Sequence, residues 1–594
     1  DQWIAAPKDP ADLYTRMAYV RENHWKLTHL LNYNQTFYKH DIGMLLGFEE
    51  ERFVKRTTDT AKLGLIDSSV GDSSSATTPS SIGGTGEEFT SRSYFGRINY
   101  AFDSRYLFEV NMRYDGSSRF APDNRWGLFP SFSAGWRISE ERFMKGLPID
   151  NLKLRASWGK LGNNAIGNYE WQAVYNSAKY AFGGSLNNGL AITSISNNLL
   201  EWESTAITNI GIDFATLRNR LTFEAEFYNK VTDGILYRPD MYMSLGTASG
   251  PRQNIAEVTN RGIEMTLNWQ DRIGKVEYRV SGNFAYNQNK VSKYKGELQR
   301  GWVTDENGNR VYQTNIGDVS TGGSTRVIEG KMINEYYMLQ PYKGSGNGFN
   351  ADGTVNINGG PRDGMIRTVD DMKWLNAMVG AGYKFYPRQN VSKSGIWYGD
   401  YIYADLNGDG VYGNDADNEF QGCSNVPKYN FGLQASANWK GFDFSMNWSG
   451  AAGFKIYYYR LALNSSATIK GYAIGEAIAN DHYFFDPKNP NDPRTNLSSK
   501  NPRLTNNSGN DQSGMTQSSV HLQKGDYIKL KNLTIGYTLP AVLSKKVYAQ
   551  NIRFFASGEN LFTITGYEGM DPEMRTAVGY STMRQYAFGV NITF

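Results

Sequence analysis

One cysteine, five histidines and eighteen prolines stand in 594 residues, and each scarcity removes a class of protein. A single Cys423 can neither close an intramolecular disulfide nor build a cysteine metal site. His24, His29, His40, His482 and His521 are scattered without ligand spacing, and no H-E-x-x-H or G-x-S-x-G occurs, so metalloprotease and hydrolase signatures are missing. Charge of neither sign dominates, with 62 Lys and Arg against 59 Asp and Glu. Basic residues are not gathered beside aromatics in any one element, which leaves nucleic-acid binding without support. No stretch approaches the ~20 consecutive apolar residues of a spanning helix. Only strands are left as a means of crossing a bilayer, because their signal is short alternating segments. An initiator Met and a charged-then-apolar leader are also missing at Asp1, and the abrupt start "DQWIAAPKDP" leads us to expect a mature fragment of a longer polypeptide.

What is abundant is aromatic and glycine: Tyr 39, Phe 30, Trp 13 and Gly 62, at a mean hydropathy of −0.54. That combination suggests many strands joined by polar loops. In "RYLFEVNMRY", Tyr106, Phe108, Val110, Met112 and Tyr114 share one face, and Glu109, Asn111 and Arg113 the other. The same alternation returns in "LKLRASW", with Lys153 and Arg155 on the polar side, and in "LTFEAEF", with Glu224 and Glu226 there. Period two is the mark of a half-apolar strand. Soluble sandwiches alternate as well, so strand ends carry the distinction. Tyr106 to Tyr114, Tyr278 to Tyr286 and Phe431 to Trp439 each bracket eight steps. At about 3.4 Å per residue and a tilt near 40° these span roughly 21 Å, close to the apolar band between aromatic girdles of a membrane barrel.

Connections alternate too. Short turns at 103–104, 217–220, 271–274 and 440–441 separate long polar stretches such as 162–204, 234–256 and 454–519, the asymmetry of outer-membrane barrels. With the short turns periplasmic, Phe594 is expected at the periplasmic rim. The final "RQYAFGVNITF" alternates to its last residue without a protective Lys or Pro, as expected of a strand sealed against a neighbour. The predicted fold is therefore all-β: a transmembrane antiparallel β-barrel, with about fifteen strands legible and further ones expected between 290 and 428 and before residue 50.

Several stretches resemble one family. "SYFGRINYAFDSRYLFEVNMRYDGSSRFAPDNRWGLFPSFSAGWRISEERFM" (93–144), "LKLRASWGKLGN", "FYNKVTDGIL", "TNRGIEMTL", "YADLNGDGVY", "GDYIKLKNLTIGYTLP" and "ASGENLFTITGYEGMDPEM" are similar to SusC/RagA-type TonB-dependent outer-membrane transporters, in order and over almost the whole chain. The resemblance implies a barrel of 22 strands in the full protein, most of them in this chain, around an N-terminal plug. It further implies energy coupling through the TonB–ExbB–ExbD complex, a SusD-like lipoprotein lid, and import of oligosaccharides or peptides into a Bacteroidetes-type cell. The plug, the TonB-contacting segment and the first strands do not appear in residues 1–594, which we expect to be the C-terminal part of the barrel with its extracellular loops. The rival readings are a barrel scaffold without transport activity and a secreted β-rich carbohydrate-binding or hydrolytic protein.

"DLNGDGVYGNDAD" is the sharpest chemical motif. Asp405, Asn407 and Asp409 at alternate positions, with Asp415 and Asp417 beyond, offer the crowded oxygens of a structural Ca²⁺ loop. The twelfth position is Ala416 rather than the bidentate Glu of an EF-hand, and a metal-free Asx turn explains the same residues. Arg113, Asp115, Arg119, Asp123 and Arg125 form a charged loop that reads as locally salt-bridged. Tyr457, Tyr458, Tyr459, Trp302, Trp374 and Trp397 are candidate stacking platforms for sugar rings, with ordinary loop packing as the alternative for each. Glu109, Asn111, Arg113, Lys153, Arg155, Glu224 and Glu226 are predicted to line the lumen. Glu224 and Glu226 could suggest a glycosidase pair, but a polar pore lining accounts for them, and no enzyme is expected.

Overall fold

The computed structural model describes residues 13–65, 72–194, 196–237, 252–294, 300–304, 310–314, 325–326, 329–386, 390–458, 476–504, 518–575, 580 and 582–594. Fifteen strands form one sheet in chain order. They are β1 (Tyr14–Phe37), β2 (His40–Leu65), β3 (Ala76–Phe102), β4 (Tyr106–Ser117), β5 (Trp126–Arg137), β6 (Ile149–Asn163), β7 (Glu203–Thr216) and β8 (Leu221–Tyr237). The rest are β9 (Gln253–Ile273), β10 (Val276–Tyr294), β11 (Tyr429–Trp439), β12 (Phe442–Ala452), β13 (Tyr527–Thr538), β14 (Asn551–Thr565) and β15 (Gln585–Thr593). The chain falls into two compact units: 1–142 with 154–209 and 230–256, and 143–153 with 210–229 and 257–594.

In the first unit the antiparallel register sorts side chains by chemistry. Tyr106 faces Phe102 and Trp136, Val110 faces Ile98 and Phe132, and Tyr114 faces Tyr94 and Leu128. This face is bare, with Phe108 51% and Ile98 48% exposed. Aromatic rings close the band at both ends: Tyr114 and Tyr94 stack on Trp126 at 4.8 and 6.2 Å, and Phe102 on Tyr106 at 6.4 Å. A contiguous exposed apolar face of this size belongs to a membrane or a partner.

Turn chemistry fixes the hairpins. Asp103 and Ser104 both have φ near +50°, and Lys440 and Gly441 have φ of 46° and 90°, the left-handed pair that matches strand twist in two-residue hairpins. A Cβ on Gly441 would lie 2.7 Å from the Thr538 carbonyl, so glycine is required there. In the second unit β15 pairs with β14, Thr593 opposite Asn551. Since Thr538 faces Arg553 and Tyr537 faces Phe442, the last residues lie on the same sheet edge as the turn at 440–441.

The strands expected between 290 and 428 are not found: among the described residues no strand of the large sheet lies between Tyr294 and Tyr429. The long strands before residue 50 are present as β1 and β2. Residues 329–386 and 390–427, joined by 476–504, instead wrap a core of their own around Trp374, Leu375, Met378, Met365, Phe385, Ile402 and Tyr403. Closely spaced Asx turns replace period two here; in "NADG" (350–353) Asp352 accepts the Thr354 N–H at 3.0 Å. Helix α1 (Val369–Gly380) opens on a capping box, with Thr368 Oγ1 accepting the Asp371 N–H at 3.1 Å and the Asp371 carboxylate accepting that of Thr368 at 2.8 Å. These reciprocal bonds satisfy two donors the helix leaves orphaned.

Candidate functional site

The polar face of β1–β4 carries a connected charge ladder. Lys26 pairs with Glu49 at 2.9 Å, and Arg113 reaches Glu49 at 3.4 Å, Asp115 at 2.7 Å and Ser93 at 2.9 Å. Asn111 donates to Glu109 at 2.7 Å, His24 lies 2.7 Å from Glu51, and Lys55 pairs with Glu22 at 2.7 Å. Alternation alone brings Glu109, Asn111, Arg113 and Asp115 together, since residues two apart share a face. In the second unit Lys153 lies 3.4 Å from Asp213. Exposed pairs of this kind contribute little to stability; they leave this face polar, with charges of both signs alternating along it.

The charged loop at 113–125 is salt-bridged only at its start. Arg119 donates to Asn168 and to the Asn164 carbonyl at 3.1 and 3.0 Å and lies 4.4 Å over Phe89. Asp123 sits in the 3-10 turn Pro122–Asn124, and the Arg125 carbonyl receives the Trp202 indole N–H at 3.0 Å. The aromatic platforms divide similarly. Trp374 is fully buried, its Nε1 donating to the Asn356 carbonyl at 2.8 Å, and Tyr457 packs with Tyr336, Met338 and Cys423. Tyr458 is half-buried against Tyr567. Tyr459 and the Trp302 side chain lie outside the described residues.

Trp397 remains open to a groove. Together with Tyr398, Phe484, Phe485, Lys393 and Arg494 it lines a cavity of about 620 Å³ in the lobe; Arg494 is bonded to Asp492 at 2.9 Å and lies 4.5 Å over the Phe484 ring. Behind the groove Arg503 grips Asp400 through two bonds of 2.8 and 2.9 Å, and the Tyr483 hydroxyl donates to the Arg367 carbonyl at 2.6 Å. Burial pushes the Asp400 carboxyl above its ordinary range, against the pull of the guanidinium.

The loop at 405–417 is a knot of Asx turns. Asp405 accepts the Gly408 and Gly410 N–H groups at 2.6 and 2.9 Å, Asn407 that of Asp409 at 2.8 Å, and Asp409 that of Val411 at 2.8 Å. Asp417, buried, accepts from Leu406 at 2.7 Å, Gly413 at 2.8 Å and Asn414 at 3.1 Å. Its carboxyl is pushed up to about 6, by burial first and by the nearby Asp405 charge as well, while the three backbone donors pull it down. The Asp415 side chain lies outside the described residues. Among those described, no three acidic, His or Cys side chains are gathered as a metal cage. Carboxylate and amide oxygens each hold a second lone pair beyond these bonds, so the donor set is compatible with a hard cation without being arranged around one.

A cluster the sequence reading missed joins β13 to the stretch after β14. Buried Lys529 donates to Asp571 at 2.8 Å and Glu573 at 2.7 Å, and Lys531 reaches Glu573 at 2.6 Å. The signal was the paired spacing, K-x-K against D-x-E, which places like charges on one face of each segment.

The model of the TonB-dependent receptor-like β-barrel family matches residues 6–561. TonB-dependent receptor P39 of Formosa agariphila is 30% identical over 95% of this chain and 52% of its own length. TonB-dependent receptor SusC of Bacteroides thetaiotaomicron is 28% identical over 84% of this chain and 43% of its own. A chain of the RagAB peptide transporter superposes with a TM-score of 0.73 at 22% identity, covering 98% of this chain and 56% of that one. The chain thus spans about half the length of the relatives it matches, which are named as receptors and transporters. This chain belongs to the TonB-dependent receptor-like β-barrel family.

Proposed function

We propose that the chain forms the wall and surface loops of a SusC/RagA-type importer, which takes up oligosaccharides or peptides across the outer membrane with a SusD-like lipoprotein and energy from the TonB–ExbB–ExbD complex. The observation carrying this reading is the split of one set of strands into a bare apolar face and a hydrogen-bonded charge ladder. Such a wall suits lipid on one side and a hydrated solute on the other. The relatives support it: one is a SusC receptor, and a peptide transporter shares the fold. In this reading the short turns and Phe594 face the periplasm, and the lobe with its Trp397 groove faces outward. The loop at 405–417 is structural. We assign Ca²⁺ to it because Asp417 is a buried carboxylate near a second acid, and a divalent ion would relieve that repulsion.

The test is deletion of the full gene, followed by growth on single glycans or on peptides as sole nutrient, with affinity isolation of the tagged receptor. Loss of growth on one nutrient class together with recovery of a surface lipoprotein supports the importer. Unimpaired growth on all of them, with an intact assembly of other outer-membrane proteins lost instead, supports the scaffold.

A further inference from the structure

Past the aromatic girdle, the apolar face of β1–β3 turns basic. Phe48 and Tyr94 end the band. The next outward positions are Glu50 and Arg92, then Trp25 and Arg52, then Asn23, Val54 and Glu88, then Arg21 and Arg56. Two of the four arginines are neutralised: Arg92 bonds Glu50 at 2.9 Å and Arg52 bonds Glu88 at 2.8 Å. Arg21 and Arg56 stand directly opposite each other across the strands, and among the described residues neither has a carboxylate partner. Like charges at directly opposed positions are destabilising, so this pairing calls for an anion between them. Space exists for one: Arg21, Asn23, Trp25, Arg52, Val54 and Arg56 line a groove of about 300 Å³. The Arg56 guanidinium also lies over Gly86, where a Cβ would come within 2.5 Å of Nη1, so a bare glycine keeps that fork flat along the sheet.

We propose that this groove binds the phosphorylated headgroup of an anionic glycolipid in the leaflet around the barrel. Three observations select a lipid over a protein. The patch lies on the same face of the same strands as the apolar band, one ion-paired row beyond Phe48, so an occupant with acyl chains can lay them on Met44, Leu46 and Ile98. Arg52 and Arg56 lie four and eight residues past Phe48, roughly 10 and 21 Å above the hydrocarbon at the usual strand rise and tilt. That is the depth of a headgroup bearing sugars and phosphates. Finally, paired guanidinium forks match phosphate in two-bond geometry, which lysines would not. Indole at Trp25 adds an amphipathic ring at the same level.

The proposal rests on the reading that these strands cross the outer membrane with their long ends outside. Its test is native mass spectrometry of the full receptor extracted from outer membranes, as wild type and as Arg21→Gln, Arg56→Gln and the triple variant with Arg52→Gln. Each protein is re-exposed to phosphorylated and to enzymatically dephosphorylated glycolipid. We expect the wild type to retain the phosphorylated form at least tenfold better than the triple variant. The single variants should fall between, and the dephosphorylated form should bind equally weakly to all. Heat-modifiable gel mobility confirms folding; the exposed single changes carry the test if the triple variant misfolds. Equal retention by wild type and variants, or indifference to phosphate, overturns the proposal. So does loss of a co-purifying protein instead of lipid. Retention of glycerophospholipid would place the long ends on the periplasmic side and overturn it as well. A receptor that binds the glycolipid yet is dispensable for growth on every nutrient fails only the importer reading.

Discussion

Arg503 and Asp400 are 103 positions apart, yet their doubly bonded contact pins the two halves of the lobe. Removing one partner of a buried pair strands the other's charge, at a cost of about 3–5 kcal/mol. Arg503→Ala should therefore loosen residues 391–403 and 481–503 in hydrogen exchange while the strands stay protected, and Arg503→Lys should recover only part of the loss. Such a contact is invisible in sequence because nothing local marks it. The loop at 405–417 was legible for the opposite reason: the oxygens of Asp405, Asn407 and Asp409 each meet an N–H two to five residues away. Asp417 makes that loop testable. Without an ion its carboxyl titrates near 6 in the fold, against about 3.9 when unfolded. The folded state then binds the proton more readily, and its stability falls as pH rises between those values. Bound Ca²⁺ would depress the carboxyl instead and reverse that slope. Exchange of the Leu406, Gly413 and Asn414 amides at pH 4.5 and 7, with calcium and with chelator, reads the sign directly. A Ca²⁺ site predicts added protection at pH 7 with calcium only, and no effect of calcium would remove the metal.

Among elements, strands were legible and the lobe was not. Period two survives in a strand whatever lies beside it, so β4 could be read from "RYLFEVNMRY", β11 from the span Phe431 to Trp439, and the turns at 103–104 and 440–441 from the short gaps between alternating runs. Helix α1 escaped because "VDDMKWLNAMVG" is short and its apolar residues pack into a lobe assembled from distant segments. Its cap is nevertheless local, and Thr368→Ala should cost the lobe about 1 kcal/mol, seen as faster exchange of the first helical turn. At the hairpin, Gly441→Val combines a left-handed φ, worth roughly 1–2 kcal/mol against any side chain, with a clash at the Thr538 carbonyl. We expect reduced yield of heat-modifiable barrel from Gly441→Val and near-normal yield from Lys440→Asn, which tolerates positive φ.

For the molecule as a whole, the account rests on which side of the wall meets lipid. The sequence placed Phe108, Val110 and Met112 on one face and Glu109, Asn111 and Arg113 on the other, and the register keeps them there. It misjudged the stretch after Tyr294 by expecting further wall there, whereas its described residues from 329 onward build the lobe and its Trp397 groove. If that groove contacts the imported solute, Trp397→Ala should raise the concentration needed for half-maximal uptake about two- to tenfold, since one aromatic stack is worth about 0.5–1.5 kcal/mol. Maximal uptake would be unchanged. The most direct measurement is a nitroxide scan of residues 107–113 in the full receptor, in a Cys423→Ser background within lipid bilayers. The account predicts a period of two, with high accessibility to oxygen at 108, 110 and 112 and to a water-soluble nickel complex at 109, 111 and 113. A flat profile, or one with the charged positions in lipid, would contradict it.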